Sequence, residues 1–138
     1  MIGGRILDTS ALVQAARGRP YMQALLYISH EHLIMLVIPA PCLADALSCL
    51  DDPEDQARLF DLLRSPIAKV AQFGETEARG TGLLRASARA SHDRGAKSAS
   101  TAAAHAAFLA ANRGWPVVSA APGPIKALHP EVEIEPLP

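Results

Sequence analysis

The residues of this sequence best suited to chemistry are two aspartates, Asp8 and Asp45. Asp8 directly follows a short predicted strand at 5–7 and precedes two hydroxyl residues, Thr9 and Ser10. Ligands of open parallel sheets bind beyond the carboxyl ends of the strands, so we expect a functional site here. A carboxylate beside hydroxyl groups suits a hard cation such as Mg²⁺, which prefers oxygen ligands. The position equally suits a turn residue that stabilises the amino end of the next helix, and spacing alone leaves both roles open.

Asp45 borders the apolar stripe of a predicted helix that opens at Pro41 and ends near Leu50. A carboxylate at such a border would be stabilised by a cation that it shares with Asp8. The alternative is a boundary residue whose side chain reaches water, because charged side chains are rarely buried without partners.

Cysteine and histidine do not form a convincing metal site in this sequence. Cys42 and Cys49 lie seven residues apart in one predicted helix, about 10 Å along its axis, whereas the Cα atoms of a disulfide lie within about 7 Å. We expect both to be small buried hydrophobic residues, since helical chelating pairs use closer spacing. His30 and His32 are two residues apart at a helix end, a spacing that does not place them on one helix face. The other three histidines are isolated in the sequence: His92, His105 and His129.

Basic residues dominate the second half of the chain. Between Arg79 and Lys126 the sequence has seven lysines and arginines and a single acid, Asp93. Arg85 and Arg89 are four apart, so on a helix they share a face and could contact phosphates. A solvated surface is the alternative, because aromatic stacking partners for nucleic acid are scarce here.

Strands and helices alternate along the chain. Apolar runs predict strands at 5–7, 33–38, 67–73, 115–119 and 132–134. Helical spacing and end signals predict helices at 11–16, 20–30, 41–50, 51–63, 75–90 and 100–112. Thr9 or Ser10 is expected to cap the first helix. Gly80 and Gly82 interrupt the helix at 75–90, and a polar loop at 91–99 follows it. This order predicts an α/β fold with a mostly parallel sheet covered on both faces.

Composition limits the class of protein. The 138 residues are 49% hydrophobic and 20% charged, with a formal net charge of −1, as in an ordinary globular protein. We expect one domain over residues 1–138, large enough to bury a core without disulfides. The apolar run at 33–40 is far shorter than the roughly 20 residues that span a bilayer, and no secretion signal is evident, so we expect a cytoplasmic protein without membrane association.

Three segments, in order, resemble the motifs of a known family. Segment 6–12, ILDTSAL, is similar to the opening motif of PIN domains, particularly the VapC-type toxins of bacterial toxin–antitoxin pairs. Segment 37–40, VIPA, followed by a helix with Asp45, resembles the second motif, in which the acid is usually glutamate. Segments 104–106 and 113–119 resemble the last helix and strand. The resemblance implies a three-layer sandwich with about four acids at the strand ends, which hold Mg²⁺ or Mn²⁺ for RNA cleavage. In this sequence it implies that Asp8 and Asp45 are catalytic metal ligands.

The sequence departs from the family pattern at half of this acidic cluster. Ser100 stands where the family has an aspartate before the penultimate helix, and Ala103 replaces a second acid often found one turn later. Ser119 and Ala121 stand where a threonine and an aspartate, separated by one residue, are usual. Two carboxylates can still hold Mg²⁺ when a substrate phosphate completes the shell, but we expect weak binding.

These observations support three hypotheses for the function. The first is a PIN-like protein with a degenerate site, which binds RNA or a protein partner and has weak or lost RNA cleavage. The second is an active VapC-like endoribonuclease that adds a further acid to Asp8 and Asp45, and the loop residue Asp93 is the nearest unassigned acid. The third is a protein interaction module without nucleic-acid binding. The resemblance also implies a homodimer and an antitoxin-like partner.

Overall fold

The computed structural model of the chain describes residues 3–90 and 99–138. Within these residues a five-stranded, fully parallel sheet forms the centre of a three-layer α/β sandwich, with the strand order β3-β2-β1-β4-β5. The strands are β1 (Gly4–Leu7), β2 (Met35–Pro39), β3 (Ala68–Ala71), β4 (Val117–Ser119) and β5 (Ile134–Pro136). The predicted α/β class and the parallel sheet are confirmed.

The central strands are mostly apolar because helices cover both faces of the sheet. Ile6 and Leu7 of β1 are fully buried between β2 and β4, and residues 36–38 of β2 are buried as completely. The register aligns Leu7 with Val118, so the residues after β1 and β4 emerge side by side. Pro136 lacks an N–H group and is tolerated because β5 is an edge strand.

The described residues form seven helices around this sheet: α1 (Thr9–Ala16), α2 (Pro20–Glu31), α3 (Ala40–Ser48), α4 (Pro53–Leu63), α5 (Glu75–Ala90), α6 (Thr101–Arg113) and α7 (Gly123–Leu128). Helix α1 packs against α3 and α4, and α6 packs against α3, α5 and α7. The alanines of α6 are mostly buried, and their small side chains let this helix approach its neighbours closely. Gly114 ends α6 in the left-handed conformation, with φ of 67°.

Several sequence expectations need correction. The cap of α1 is Asp8 and not Thr9 or Ser10, since the Asp8 side chain accepts the backbone N–H of Ala11. Helix α5 continues through both of its interior glycines. Cys49 is exposed and not buried, because α3 ends at Ser48 and the chain turns away.

The remaining differences concern the ends of elements and one missed helix. Helix α7 was not predicted, because its six residues begin with the turn-forming pair Gly123-Pro124. The predicted loop at 91–99, with Asp93 and His92, lies outside the described residues except for Ala99. None of the described helices has the length and apolar character of a membrane-spanning segment.

Candidate functional site

Asp8 lies at the junction of β1 and α1. Its backbone is extended, with φ of −79° and ψ of −177°, and its side chain turns back to cap the helix. Oδ1 accepts the Ala11 N–H at 2.9 Å and the Ser10 hydroxyl at 2.6 Å. The residue is only 6% exposed, so these bonds replace water around a buried carboxyl group.

Two serines connect Asp8 to the end of β4. The Ser10 hydroxyl, which donates to Asp8, accepts the Ala120 N–H at 2.9 Å. The buried Ser119 hydroxyl also hydrogen-bonds to Asp8 and accepts the Ala121 N–H at 3.0 Å. Because β1 and β4 are adjacent and parallel, residues distant in sequence meet at one rim of the sheet.

Burial raises the pKa of the Asp8 carboxyl above its usual value. Hydrogen bonds from the Ser10 and Ser119 hydroxyls and from the backbone N–H groups of Ala11 and Ser10 act in the opposite direction. Desolvation prevails, since no cationic side chain offsets the charge within these contacts.

Cys42, in the first turns of α3, is close enough to both predicted acids for their charges to act on its thiol. Its thiol donates to the Ala102 carbonyl at 3.4 Å, and this contact ties α3 to the amino end of α6. Burial raises the pKa of the Cys42 thiol to about 12; hydrogen bonding to Thr9 lowers it, and the charges of Asp8 and Asp45 raise it further. Both carboxylates therefore act on the same thiol, which stays protonated at neutral pH.

Asp45 itself is exposed on α3, as the boundary-residue interpretation describes. Its backbone carbonyl accepts the Ser48 hydroxyl at 2.6 Å. The side chain is free to reach water at the rim, and its role as a metal ligand stays a prediction.

The positions that depart from the family pattern have other local roles here. Ser100 is the cap of α6, and its hydroxyl accepts the Ala103 N–H at 3.0 Å. Ala103 is half-buried in the first turn of that helix, and Ala121 is exposed after β4. Serine is as good a helix cap as aspartate, so replacement of the acid leaves the helix start intact.

The residues that the structure describes do not fit a Mg²⁺ or Mn²⁺ centre. Among residues 3–90 and 99–138, no group of three or more histidine, cysteine, aspartate or glutamate side chains could hold a metal ion. Asp8 is surrounded by hydrogen-bond donors, and the nearby thiol is protonated. Hard cations require several oxygen ligands in close geometry, and this rim presents two acids at most from the described part of the chain.

The predicted phosphate contacts lie on α5. Arg85 donates to the Ala99 carbonyl at 2.8 Å and to the Thr101 hydroxyl at 3.2 Å, on either side of Ser100. Arg89 is exposed in the last turn of the helix. Arg85 thus fastens α5 to the amino end of α6, and phosphate binding by the pair stays a prediction.

His105 lies in the middle of α6. Its side chain is fully buried, neither ring nitrogen has a hydrogen-bond partner among the described residues, and the ring lies edge-on to Phe73 with 4.9 Å between centroids. Burial lowers the pKa of His105, and the charge of Glu77 acts against that shift.

Sequence reasoning missed the donors around Asp8 and the bond of the Cys42 thiol to α6. The adjacent Thr9 and Ser10 were visible as a hydroxyl pair, so part of the signal was local. The contribution of Ser119 and Ala120 required knowledge that β1 and β4 are neighbours.

Two solved structures share the architecture of this chain. VapBC2 from Rickettsia felis, solved bound to a DNA fragment from its promoter, aligns with a TM-score of 0.74 and 16% identity over 98% of this chain and 99% of that chain. FitAcB from Neisseria gonorrhoeae aligns with a TM-score of 0.61 and 18% identity over 94% and 95%. No protein-family model and no curated protein sequence matches the chain. At these identities the likeness concerns the fold, and the chain has the VapC-like PIN fold that its sequence motifs resemble.

Proposed function

We propose that this chain is a VapC-like PIN protein with an incomplete carboxylate cluster, which binds Mg²⁺ or Mn²⁺ weakly and cleaves RNA slowly or not at all. The observation that carries the proposal is the set of groups around Asp8. Within the described residues it contacts hydroxyl and N–H donors and no second carboxylate. Metal-assisted hydrolysis needs a localised cation and an oriented water, and the described acids provide for neither.

We further propose that the remaining function is binding. The family resemblance suggests RNA and an antitoxin-like protein as partners, a homodimer as the assembly and the cytoplasm as the compartment. The shared fold with VapBC2 and FitAcB supports the comparison with toxin–antitoxin systems.

A cleavage assay tests the loss of activity. The full chain is incubated with fluorescent single-stranded RNA and either Mg²⁺ or Mn²⁺, beside its Asp8→Asn variant. We expect the same low rate from both proteins, and calorimetric titration with Mn²⁺ should give little heat. Robust metal-dependent cleavage by the parent that Asp8→Asn abolishes would establish an active endoribonuclease instead.

Fluorescence anisotropy with uncleaved RNA tests the binding role. Saturable binding that weakens with salt supports RNA as a partner, because phosphate contacts release counterions. Absence of binding at low salt would favour the protein interaction module.

A further inference from the structure

The rim that would hold a metal in a complete site is closed here by hydrogen bonds. We call this set the rim network and define it as the side chains of Asp8, Ser10 and Ser119 with the N–H groups of Ala120 and Ala121. It joins the end of β1, the start of α1 and the end of β4. The Ser10–Ala120 bond links residues 110 apart in sequence.

The bonds of the rim network all run towards one acceptor. The Ala120 N–H donates to the Ser10 oxygen, whose hydroxyl donates to Asp8. In parallel, the Ala121 N–H donates to the Ser119 oxygen, whose hydroxyl bonds to Asp8. Hydrogen bonds in such relays polarise one another, so the carboxylate at the end of both relays is the best-placed acceptor.

The donors around Asp8 also hold α1 in place. Oδ1 accepts the Ser10 hydroxyl at 2.6 Å and the Ala11 N–H at 2.9 Å. The Ser119 hydroxyl and the Ser10 N–H also favour the charged carboxylate by hydrogen bonding, which lowers its pKa against the effect of burial. These bonds use part of the acceptor capacity of the carboxylate for contacts within the fold.

Ala121 contributes to this arrangement through its backbone. Its N–H, which an aspartate at this position would also supply, donates to the Ser119 oxygen and fixes the orientation of that hydroxyl. Ser119 is fully buried, so bulk water could not replace the hydrogen bond between its hydroxyl and Asp8.

We infer that Asp8 is the central acceptor of a structural hydrogen-bond network that holds the ends of β1 and β4 together without a metal ion. The inference concerns the stability of the fold and stands apart from the proposed loss of cleavage.

Thermal unfolding of the full chain tests the inference. EDTA, Mg²⁺ and Mn²⁺ should each change the melting temperature of the parent by less than about 2 °C, since a cation at or below its Kd adds little stability. Ser119→Thr and Ser119→Val form a matched pair of equal size, of which only threonine keeps the hydroxyl. The valine variant should melt roughly 4–10 °C below the threonine variant, because it leaves buried partners unpaired. Ser87→Ala, at an exposed position of α5, is the control and should leave the melting temperature nearly unchanged.

Two outcomes would overturn the inference. One is a melting temperature for Ser119→Val equal to or above that of Ser119→Thr. The other is a large rise with Mg²⁺ or Mn²⁺ in the parent that Asp8→Asn removes, which would make Asp8 a metal ligand. That rise without RNA cleavage would refute the network and the proposed weak metal binding, and would leave only the proposed loss of cleavage standing. Cleavage that Asp8→Asn does not affect, with no response of the melting temperature to metal, would refute only the proposed function.

Discussion

Restoring the two missing acids should restore metal binding. In the double variant Ser100→Asp/Ala121→Asp, carboxylates stand where the family resemblance expects them. The structure tolerates both changes, because both side chains are exposed and aspartate at position 100 can still accept the Ala103 N–H as a helix cap. We therefore expect a folded protein with higher affinity for Mg²⁺ than the parent.

The size of the effect follows from binding linkage. At about 10 mM Mg²⁺, a restored Kd of about 0.1 mM stabilises the fold by about 2.7 kcal/mol, whereas a parent Kd of about 10 mM gives about 0.4 kcal/mol. For a chain of this length each kcal/mol raises the melting temperature by roughly 3–5 °C, so the variant should gain roughly 10 °C and the parent about 2 °C. Without metal, repulsion between the added acids and Asp8 should make the variant less stable than the parent by on the order of 1 kcal/mol.

Arg85 competes with the metal in this experiment. Its guanidinium bonds to the residues on both sides of Ser100, so an aspartate there is within reach of an ion pair. Replacement of Arg85 by glutamine in the restored background should therefore raise Mg²⁺ affinity further.

Calorimetry and melting curves with and without Mg²⁺ measure these effects. Ser100→Asn/Ala121→Asn is the matched control, since it has the same shape without the charges. The reasoning is refuted if the aspartate and asparagine variants respond equally to Mg²⁺. Positions 100 and 121 would then not be equivalent to the acids of the family.

Three further predictions concern packing, pH and assembly. Gly80→Ala should be less stable than Gly82→Ala by roughly 1–3 kcal/mol in denaturant unfolding, because a Cβ at Gly80 would clash with the Phe108 ring. A Cβ at Gly82 would meet no atom of the described residues within 4 Å, so its alanine variant should gain about 1 kcal/mol as a better helix former. Equal stabilities would contradict this packing. Burial lowers the pKa of His105 in the folded chain below the ordinary 6.5, so the unfolded chain binds more protons in acid. The contribution of His105 to stability is therefore complete above pH 6.5. It should fall as the pH drops towards the folded pKa, by up to about 1.4 kcal/mol per pH unit. His105→Leu should lose this part of the acid sensitivity and be more stable by about 1–2 kcal/mol at pH 7, since neither ring nitrogen has a partner among the described residues, whereas the exposed control His32→Gln should not show this gain in stability. Sedimentation at micromolar concentration should give a species of twice the 14.6 kDa chain mass, and a species of 14.6 kDa alone would exclude the homodimer.

Local signals in the sequence were enough to predict the fold class and the most prominent candidate residue of the site. Apolar runs of strand length, helical spacing and cap residues are local properties, so the alternation of strands and helices and the place of Asp8 after β1 could be predicted. The ends of elements were less certain, because packing and not local preference decides where a helix such as α3 stops. Helix α7 was missed for the same reason: its short turn-like start is stabilised by the burial of Ile125 and Leu128.

The rest of the surroundings of Asp8 depends on tertiary contacts. Nothing in the spacing of the sequence places β4 beside β1, yet that adjacency and the register of Leu7 with Val118 bring Ser119 and Ala120 to the carboxylate and its Ser10 partner. Hydrogen bonding and desolvation depend on groups within a few ångströms in space, whatever their distance along the chain. The sequence could therefore identify the acid and its neighbour Ser10, whereas the groups contributed by the end of β4 reach the site only because the two strands are adjacent.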